Sequence, residues 1–315
     1  MKIVVYAQGV RSEVVNLITG SSQGDVIAAK TPELESALAD ADGLVLQDFV
    51  WTPDISAIAQ KSTRLKWIQL LTSGYDRMTQ FGVPKGVTIC NARGAFSHSV
   101  SVHGIGLYLA LLRGVPIILA QQKQSSWQRD FANVLAVPAE SSVVILGFGS
   151  IGQEIARLLK PFGPHITGVN RSGAPHALAD RIVKSSEAQP ALQNADAIFL
   201  SMPLDGATRH AIGTQQLKSY KRSAVLINVG RGGLWDQNAL AQGLHDGLIA
   251  GAATDVTDPE PLPSDHPLWT APNFILSPHV SGASGEVGYK SQAGIAIDNI
   301  ARYRRGEKLE NIVTV

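Results

Sequence analysis

The sequence is short of cysteine, of net charge and of long uninterrupted apolar runs, and each shortage excludes a class of structure. A single cysteine, Cys90, allows no intrachain disulfide and no cysteine-based metal site, so we expect a buried, inert thiol there. The 27 basic and 26 acidic residues leave a net charge of +1, which offers no general basic surface to nucleic acid or membrane. We therefore expect neither partner and predict no metal site.

The longest apolar stretch, residues 104–120, is interrupted by Arg113 and Pro116, which argues against a membrane span. The N-terminal MKIVVYAQG is typical of a first strand and not of a secretory signal. These features predict a cytoplasmic protein. Its 315 residues, of which 44% are hydrophobic, are enough for two domains with separate cores.

Short β-branched runs alternate with helical patterns along most of the chain, which predicts an α/β fold with parallel sheets covered by helices. Two such series are visible, so we predict two doubly wound domains, Rossmann-like or flavodoxin-like, with a cleft between them. The predicted strands are residues 2–6, 43–46, 67–70, 88–90, 142–146, 166–169, 197–200, 224–228, 249–254 and 274–276. The predicted helices are residues 32–39, 55–60, 99–113, 153–162, 237–246 and 285–305, with a polar segment at 121–133.

The chain is expected to cross between its domains twice, near residues 97–99 and near residues 282–285. Residues 1–98 with 283–315 are predicted to form a substrate-binding (catalytic) domain, because the last helix is long enough to pack back on the first series. Residues 99–282 are predicted to form a dinucleotide-binding Rossmann domain. Small residues at both crossings suit a hinge, although plain turns use the same residues.

A glycine turn, in the sequence VVILGFGSIG, provides the first functional signal. The pattern GxGxxG is weak evidence alone, but here a buried strand precedes it and an amphipathic helix follows it. Gly147 permits the tight turn, Gly149 lets the backbone approach a pyrophosphate, and Gly152 allows close helix–strand packing. A turn without a ligand is the alternative. The predicted cofactor-binding residues of the turn are Gly147, Phe148, Gly149, Ser150, Ile151 and Gly152.

The end of the next strand bears on the choice between the two nicotinamide cofactors. Sites for NAD normally carry an acidic residue about 20 positions on, which bonds the ribose hydroxyls. This chain has Asn170 there, which does not repel a 2′-phosphate. Arg171 can pair with the phosphate or stack on the adenine, and Ser172 can donate a hydrogen bond. We therefore predict that NADP(H) is favoured and NAD(H) remains possible; an ordinary exposed arginine with relaxed cofactor choice is the alternative.

Three later segments, each after a predicted strand, carry candidate catalytic residues. Reduction of a 2-oxo acid needs a cation for the carboxylate and the developing alkoxide, and Arg231 supplies one. It also needs an acid near neutral pH, for which His279 is suited. A carboxylate such as Glu260 would orient the imidazole and raise its pKa. Taken singly, Arg231 could be a loop ion pair, Glu260 a solvated turn and His279 a structural histidine.

At this point the sequence resembles the D-isomer-specific 2-hydroxyacid dehydrogenase family, which includes glyoxylate/hydroxypyruvate reductases and phosphoglycerate dehydrogenases. The resemblance covers essentially the whole chain and rests on LLTSGYD, SVSVHGIGLYLALLR, LGFGSIG, LINVGRGGLWDQNAL, GAATDVTDPEPLPSDHPLW and LSPHVSG. It implies an oxidoreductase that reduces a 2-oxo acid to the D-2-hydroxy acid with NAD(P)H. It also implies Arg231, Glu260 and His279 as the catalytic set.

The resemblance implies further contacts. The residues expected at the substrate carboxylate are Ser73, Gly74, Tyr75 and Arg231. The residues expected beside the dinucleotide are Met202, Pro203, Val229 and Gly230, with Asp255 near the nicotinamide amide. Members of the family form homodimers through the segment that here spans the long helix and the polar stretch after it. Trp127 is the candidate to reach the partner's active site.

Some features depart from the best-known members or leave the function open. Val102 replaces a glutamate in the helix ladder, and Glu260 argues against the formate-specific branch, which has glutamine there. With the chain ending at Val315, we expect no C-terminal regulatory domain. The alternative function is a dinucleotide-sensing, corepressor-like binding protein of the same fold. Substrate size is left open, because the aromatic residues at 49–51, 73–75, 127 and 269 suit small or aryl acids, and Trp51 and Trp269 could equally be packing residues.

Overall fold

Two largely parallel β-sheets, each flanked by helices, organise the protein, which confirms the α/β fold class. The computed structural model describes residues 1–21 and 25–315. The strands are β1 (Ile3–Tyr6), β2 (Val26–Ala29), β3 (Gly43–Leu46), β4 (Trp67–Leu70), β5 (Thr88–Cys90), β6 (Ser142–Leu146), β7 (His165–Asn170), β8 (Arg181–Lys184), β9 (Ala197–Leu200), β10 (Val225–Asn228), β11 (Gly251–Thr254), β12 (Phe274–Leu276) and β13 (Ile312–Val313). The α-helices are α1 (Ser12–Gly20), α2 (Leu34–Leu38), α3 (Pro53–Lys61), α4 (Asp76–Phe81), α5 (Ser97–Leu112), α6 (Val115–Lys123), α7 (Ser150–Leu159), α8 (Gln189–Gln193), α9 (Thr214–Ser219), α10 (Gln237–His245) and α11 (Gly285–Arg304).

The chain divides into two units, Met1–Phe96 with Ala283–Val315, and Ser97–Gly282. The first crossing lies two residues before the predicted boundary of 98, because α5 begins at Ser97 and carries His98 with it.

The first unit contains a six-stranded sheet in the order β13-β5-β4-β3-β1-β2, in which only β13 is antiparallel. Strands β1, β3 and β4 are buried along their whole length, as expected for parallel strands covered on both faces. Helix α3 begins with Pro53 at its first position and with Thr52, whose Oγ1 accepts from the Ile55 amide at 3.3 Å. Helix α11 contributes Ala293 and Ile300 to the hydrophobic core of the first unit.

The second unit contains a seven-stranded, fully parallel sheet in the order β12-β11-β10-β9-β6-β7-β8. The strand order reverses between β6 and β9, so the crevice of a doubly wound sheet opens at the carboxyl end of β6. We call this end of the sheet the carboxyl edge. It is the edge at which ligands bind in folds of this type.

Helix α5 belongs to the second unit, where Val100, Ile105 and Tyr108 are buried. A left-handed Gly114 (φ +65°) separates it from α6. In the described part of the chain no single helix is long and apolar enough to cross a membrane. Helices α5 and α6 together meet that length and composition, but they are bent by 67° at the break between them.

Candidate active site

The carboxyl edge of the second sheet brings together segments that lie far apart in the sequence. Residues 147–152 follow β6, Asn170 ends β7, and residues 202–203 follow β9. Residues 229–231 follow β10, Asp255 follows β11, and His279 lies three residues after β12. Because these strands are parallel, their ends share one edge, and every segment predicted to bind the dinucleotide is found on it.

The glycine turn fits a dinucleotide phosphate. Gly147 has a φ of +93°, and a Cβ there would lie 2.5 Å from the Met202 backbone nitrogen. A Cβ on Gly152 would lie 2.3 Å from the Gly147 carbonyl oxygen, so α7 can approach β6 only with glycine at this position. A Cβ on Gly149 would meet nothing within 4 Å. The backbone at Gly149 therefore faces open space at the start of α7, where the first helical amides have no acceptor within the helix.

Phe148 shapes this turn from its inner side. Its side chain is 5% exposed, and a Cβ on Gly168 would lie 2.4 Å from its ring. Its amide donates to the Val169 carbonyl at 2.9 Å. Phe148 therefore packs the turn against β7 and presents no side chain to a ligand.

The segment after β7 forms a local turn in which the side chains bond each other. Asn170 Oδ1 accepts from the Gly173 amide at 2.6 Å and from Ser172 Oγ at 3.2 Å. Arg171 points to solvent, with 83% of its side chain exposed, and its Nη2 lies 3.3 Å from Asp205 Oδ2. Arg171 is thus accessible to an anion, whereas the Ser172 hydroxyl would first have to leave Asn170.

Glu260 and His279 form a hydrogen-bonded pair. His279 Nδ1 lies 2.8 Å from Glu260 Oε2, and the other carboxylate oxygen accepts from the Thr257 amide at 3.0 Å. His279 has a φ of +52°, a left-handed conformation that is uncommon outside glycine, and its amide donates to the Asp255 carbonyl at 2.9 Å. A carboxylate at Nδ1 favours a proton on that nitrogen and leaves Nε2 for another partner.

The electrostatics of the pair favour a protonated imidazole. The hydrogen bond that His279 donates to Glu260 is the main cause that raises the pKa of His279, against desolvation and the positive charge of Arg231, which lower it. For Glu260, burial alone would raise the pKa. The hydrogen bonds from His279 and the Thr257 amide outweigh burial, so the pKa of Glu260 is lowered. The pair therefore favours the cationic form of the imidazole and the ionised form of the carboxylate.

Arg231 lies on a turn that its neighbours define tightly. The fully buried Asn228 donates from Nδ2 to the Arg231 carbonyl at 2.9 Å and accepts from the Gly230 amide at 3.0 Å. A Cβ on Gly232 would lie 2.0 Å from the Thr257 carbonyl carbon. The turn that carries Arg231 and the loop that carries Glu260 are thus in direct backbone contact, which only glycine at 232 permits.

Asp255 anchors the segment that carries His279. Its side chain is 1% exposed and accepts from the Ser277 hydroxyl and from the amides of Val280 and Ser281, the latter two at 2.9 Å. His103 Nε2 lies 2.8 Å from Ser277 Oγ. The sequence predicts no role for His103, whereas the Ser-Pro-His pattern already places the Ser277 hydroxyl two residues before the imidazole.

A cavity of about 500 Å³ borders the Glu260–His279 pair within the second unit. Its apolar wall consists of Pro261, Leu262, Trp269, Leu276 and Pro278. The Trp269 indole Nε1 donates to the Pro263 carbonyl at 2.8 Å, which fixes the ring at this wall.

The other candidate aromatic residues lie elsewhere. Trp51 is fully buried and donates to the Gly82 carbonyl at 3.0 Å. The expectation that it lines a substrate pocket is therefore wrong, and the alternative, a packing role, holds. Trp127 is 93% exposed.

The loop predicted to bind the substrate carboxylate, residues 73–75, belongs to the first unit, where it follows β4. Ser73 Oγ donates to the Ala92 carbonyl at 3.2 Å, and Asn91 Nδ2 donates to the Ser73 carbonyl at 2.7 Å. Within residues 1–21 and 25–315, the amides of Ser73 and Gly74 donate to no protein acceptor. The described hydrogen bonds that hold this loop therefore use its side chains and carbonyls, and not the amides of Ser73 and Gly74.

A doubly wound sheet with this glycine turn and an acid–base pair at its carboxyl edge defines the class of nicotinamide-dinucleotide oxidoreductases. Residues 105–281 match the family model for the NAD-binding domain of the D-isomer specific 2-hydroxyacid dehydrogenases. The chain therefore belongs to this family.

Individual relatives agree with this assignment. The chain is 35% identical over 286 residues to D-3-phosphoglycerate dehydrogenase of Methanocaldococcus jannaschii, a match that covers 90% of this chain but only 53% of that longer protein. It is 31% identical over 301 residues to glyoxylate/hydroxypyruvate reductase B of Yersinia pestis, over 90% of this chain and 86% of the relative. The crystal structure of a D-isomer specific 2-hydroxyacid dehydrogenase family protein from Aeromonas salmonicida superposes with a TM-score of 0.84 at 28% identity, over 99% of this chain and 98% of that one.

Proposed function

We propose that this protein reduces a small 2-oxo acid, such as glyoxylate, hydroxypyruvate or a related acid, to the D-2-hydroxy acid, and that it favours NADPH. The observation that carries the proposal is the Glu260–His279 pair, joined at 2.8 Å, on the same sheet edge as the glycine turn and Arg231. A named reductase of this type is among the relatives at 31% identity. The arrangement suits transfer of a hydride and a proton to a carbonyl group.

A nicotinamide dinucleotide held at the glycine turn of residues 147–152 would supply the hydride for reduction of the carbonyl carbon. Arg231 holds the substrate carboxylate with its forked guanidinium and stabilises the negative charge that develops on the oxygen. His279 enters the reaction protonated and gives the Nε2 proton to that oxygen, so that the product is a neutral hydroxyl group. Glu260 keeps Nδ1 protonated and the ring oriented, and oxidation of the hydroxy acid runs through the same steps in reverse.

The first unit, Met1–Phe96 with Ala283–Val315, is proposed to supply the rest of the substrate site. The amides of Ser73 and Gly74, which donate to no acceptor among the described residues, are suited to a carboxylate, which accepts hydrogen bonds and carries the opposite charge to Arg231. Tyr75 is the neighbouring side chain of that loop. Replacement of Gly74 by Pro removes one of these donors and should raise KM for the 2-oxo acid without changing cofactor affinity.

The preference for NADPH is proposed on the basis of Asn170 and Arg171. No carboxylate ends β7, and the exposed guanidinium of Arg171 can pair with a 2′-phosphate. Asp205 partly offsets this attraction, since it lies 3.3 Å from the same guanidinium. We therefore expect a moderate preference, in which NADH still supports turnover.

A homodimer is proposed from the exposed apolar side chains of α6 and the segment after it. Ile118, Leu119, Trp127 and Val134 have exposed fractions of 46%, 51%, 93% and 76%. Apolar exposure on this scale along one segment is typical of a protein–protein interface. Light scattering should give twice the mass of the chain, and Trp127→Ala should reduce activity if this ring reaches the partner's substrate.

The proposed function is tested by adding glyoxylate, hydroxypyruvate and phenylpyruvate to the purified protein with NADPH and with NADH. We expect cofactor oxidation that depends on the 2-oxo acid, and the ranking of the three acids reports the size of the pocket beside Trp269. Tight binding of the cofactor without turnover of any acid in a broad panel would contradict the proposal and favour a dinucleotide-sensing protein.

A further inference from the structure

Glu260 lies on the loop of residues 257–263, which has no regular secondary structure of its own. A side chain on such a loop needs an anchor if it is to hold a fixed position. Gln237, the first residue of α10, supplies two bonds to this loop. Its Nε2 donates to the Asp258 carbonyl at 2.7 Å, and its Oε1 accepts from the Asp258 amide at 3.0 Å.

These two bonds use one primary amide to satisfy both backbone groups of a single residue, in the way a neighbouring strand would. The Gln237 side chain reaches them from the interior, since the residue is only 8% exposed. The Asp258 carboxylate is held separately by Arg209 Nη1 at 2.9 Å. Asp258 is therefore fixed through its backbone and its side chain, two residues before Glu260.

The start of helix α10, which carries Gln237, is also fixed by hydrogen bonds. Helix α10 begins six residues after Arg231, and Asp236 caps it by accepting from the amides of Asn238 and Ala239, both at 3.0 Å. Gln237 therefore projects from the rigid start of a helix that directly follows the Arg231 turn. It ties that turn to the Glu260 loop at a second point, beside the backbone contact of Gly232 with Thr257.

We propose that Gln237 is a positioning residue that holds the loop of residues 257–263 so that Glu260 faces His279. The inference rests on the proposed function, because it concerns the acid–base pair of that reaction. The side-chain hydrogen bonds of Gln237 to described residues go to the Asp258 backbone and not to either member of the pair, so Gln237 acts through that backbone. Hydrogen bonds weaken steeply with distance and angle, so a small shift of this loop separates Glu260 from the imidazole.

The test compares Gln237→Met, which keeps the length of the side chain but forms neither bond, with Gln242→Met as a matched control. Gln242 lies on the same helix and is exposed, and its side-chain amide donates to the Asp246 carboxylate at 2.8 Å. We expect Gln237→Met to lower kcat for 2-oxo acid reduction about ten- to hundredfold, while the Kd for NADP+ stays at the wild-type value. Gln242→Met should match the wild type in both.

The pH profile separates positioning from a purely structural role. The charged groups that act on His279 are Glu260 and Asp255, which favour its protonation, and Arg231, which opposes it. If Glu260 moves away from His279 in Gln237→Met, the pKa of His279 should fall. The decrease of kcat at alkaline pH should then begin at a lower pH than in the wild type. A wild-type kcat, or a lower kcat with an unshifted profile, would overturn the inference.

Two further variants keep the test decisive. If Gln237→Met fails to fold, Gln237→Asn keeps a neutral amide on a side chain one methylene shorter, which cannot make both bonds to the Asp258 backbone, so it should show a smaller shift of the profile in the same direction. A wild-type profile in that variant would overturn the inference. Full activity of His279→Asn would refute the proposed function itself, whereas an inactive His279→Asn beside a fully active Gln237→Met would refute only the role of Gln237.

Discussion

Replacement of Glu260 by Gln should produce a loss of activity that depends on pH. The substitution keeps the size of the side chain and an oxygen that can accept from His279 Nδ1, but it removes the negative charge. Hydrogen bonds to charged groups contribute about 1.5–3 kcal/mol when shielded, and exposed ion pairs about 0.2–1 kcal/mol. The side chains of His279 and Glu260 are 56% and 39% exposed, so the interaction of the two charges is partly screened by solvent. We therefore take its free energy as about 1 kcal/mol. That energy corresponds to about a fivefold change in the protonation equilibrium of His279.

The direction follows from the charges. Glu260 raises the pKa of His279, so the variant has the lower pKa and loses its protonated form earlier as the pH rises. In the reduction direction the two proteins should have similar kcat values at acidic pH and differ about fivefold at alkaline pH. The assay is initial-rate NADPH oxidation with saturating 2-oxo acid between about pH 5 and pH 9. A loss of the same size at every pH would refute the argument that Glu260 acts through the protonation of His279.

Three other variants test the cofactor site and the stability of the second unit. Arg171→Ala should weaken NADP+ binding about five- to tenfold and leave NAD+ binding unchanged, as measured by fluorescence titration; equal losses for both cofactors would contradict the 2′-phosphate role. Asp205→Asn should strengthen NADP+ binding about two- to fivefold, because it removes the carboxylate that competes for Arg171. Hydrogen bonds from Arg157, with a smaller contribution from His98, lower the pKa of Glu154 to about 2. The ionised Glu154 therefore stabilises the folded protein at pH values above the unfolded-state pKa of 4.5, and this stabilisation is lost as the pH falls through about 2. Glu154→Gln should lower the free energy of unfolding by about 1 kcal/mol at neutral pH, since its partners are exposed and screened, with the difference shrinking below about pH 4.5, whereas an equal difference at all pH values would refute this cause.

Most strands of both sheets could be predicted because they lie in short, largely apolar runs between turn signals. Strands β2 and β8, and the two-residue β13, could not. Strand β2 (VIAA) contains two alanines, which have little β propensity, and β8 (RIVK) carries a charged residue at each end, as edge strands often do. Helix α6 could not be predicted because it contains Pro116, which normally indicates the end of a helix. Here Pro116 lies in the first turn, where the backbone amides have no acceptor within the helix and a missing amide breaks no hydrogen bond.

The candidate site likewise has residues that the sequence predicts and contacts that it does not. The glycine turn, Arg231, Glu260 and His279 stand in local patterns that indicate their chemistry, so the sequence alone points to them. The contacts that hold these residues join segments distant in the chain, as when Gln237 bonds Asp258, 21 residues away. A glutamine at the first position of a helix has no local pattern that indicates such a reach, so only the tertiary structure reveals it.

The most direct test of the central claim is the turnover of His279→Asn beside the wild type. Asparagine removes the proton donor and preserves a polar side chain of smaller size. NADPH oxidation in the presence of the best 2-oxo acid should fall by about two to four orders of magnitude, with an unchanged Kd for NADP+. Wild-type turnover by this variant would contradict the account, because no proton could then come from His279.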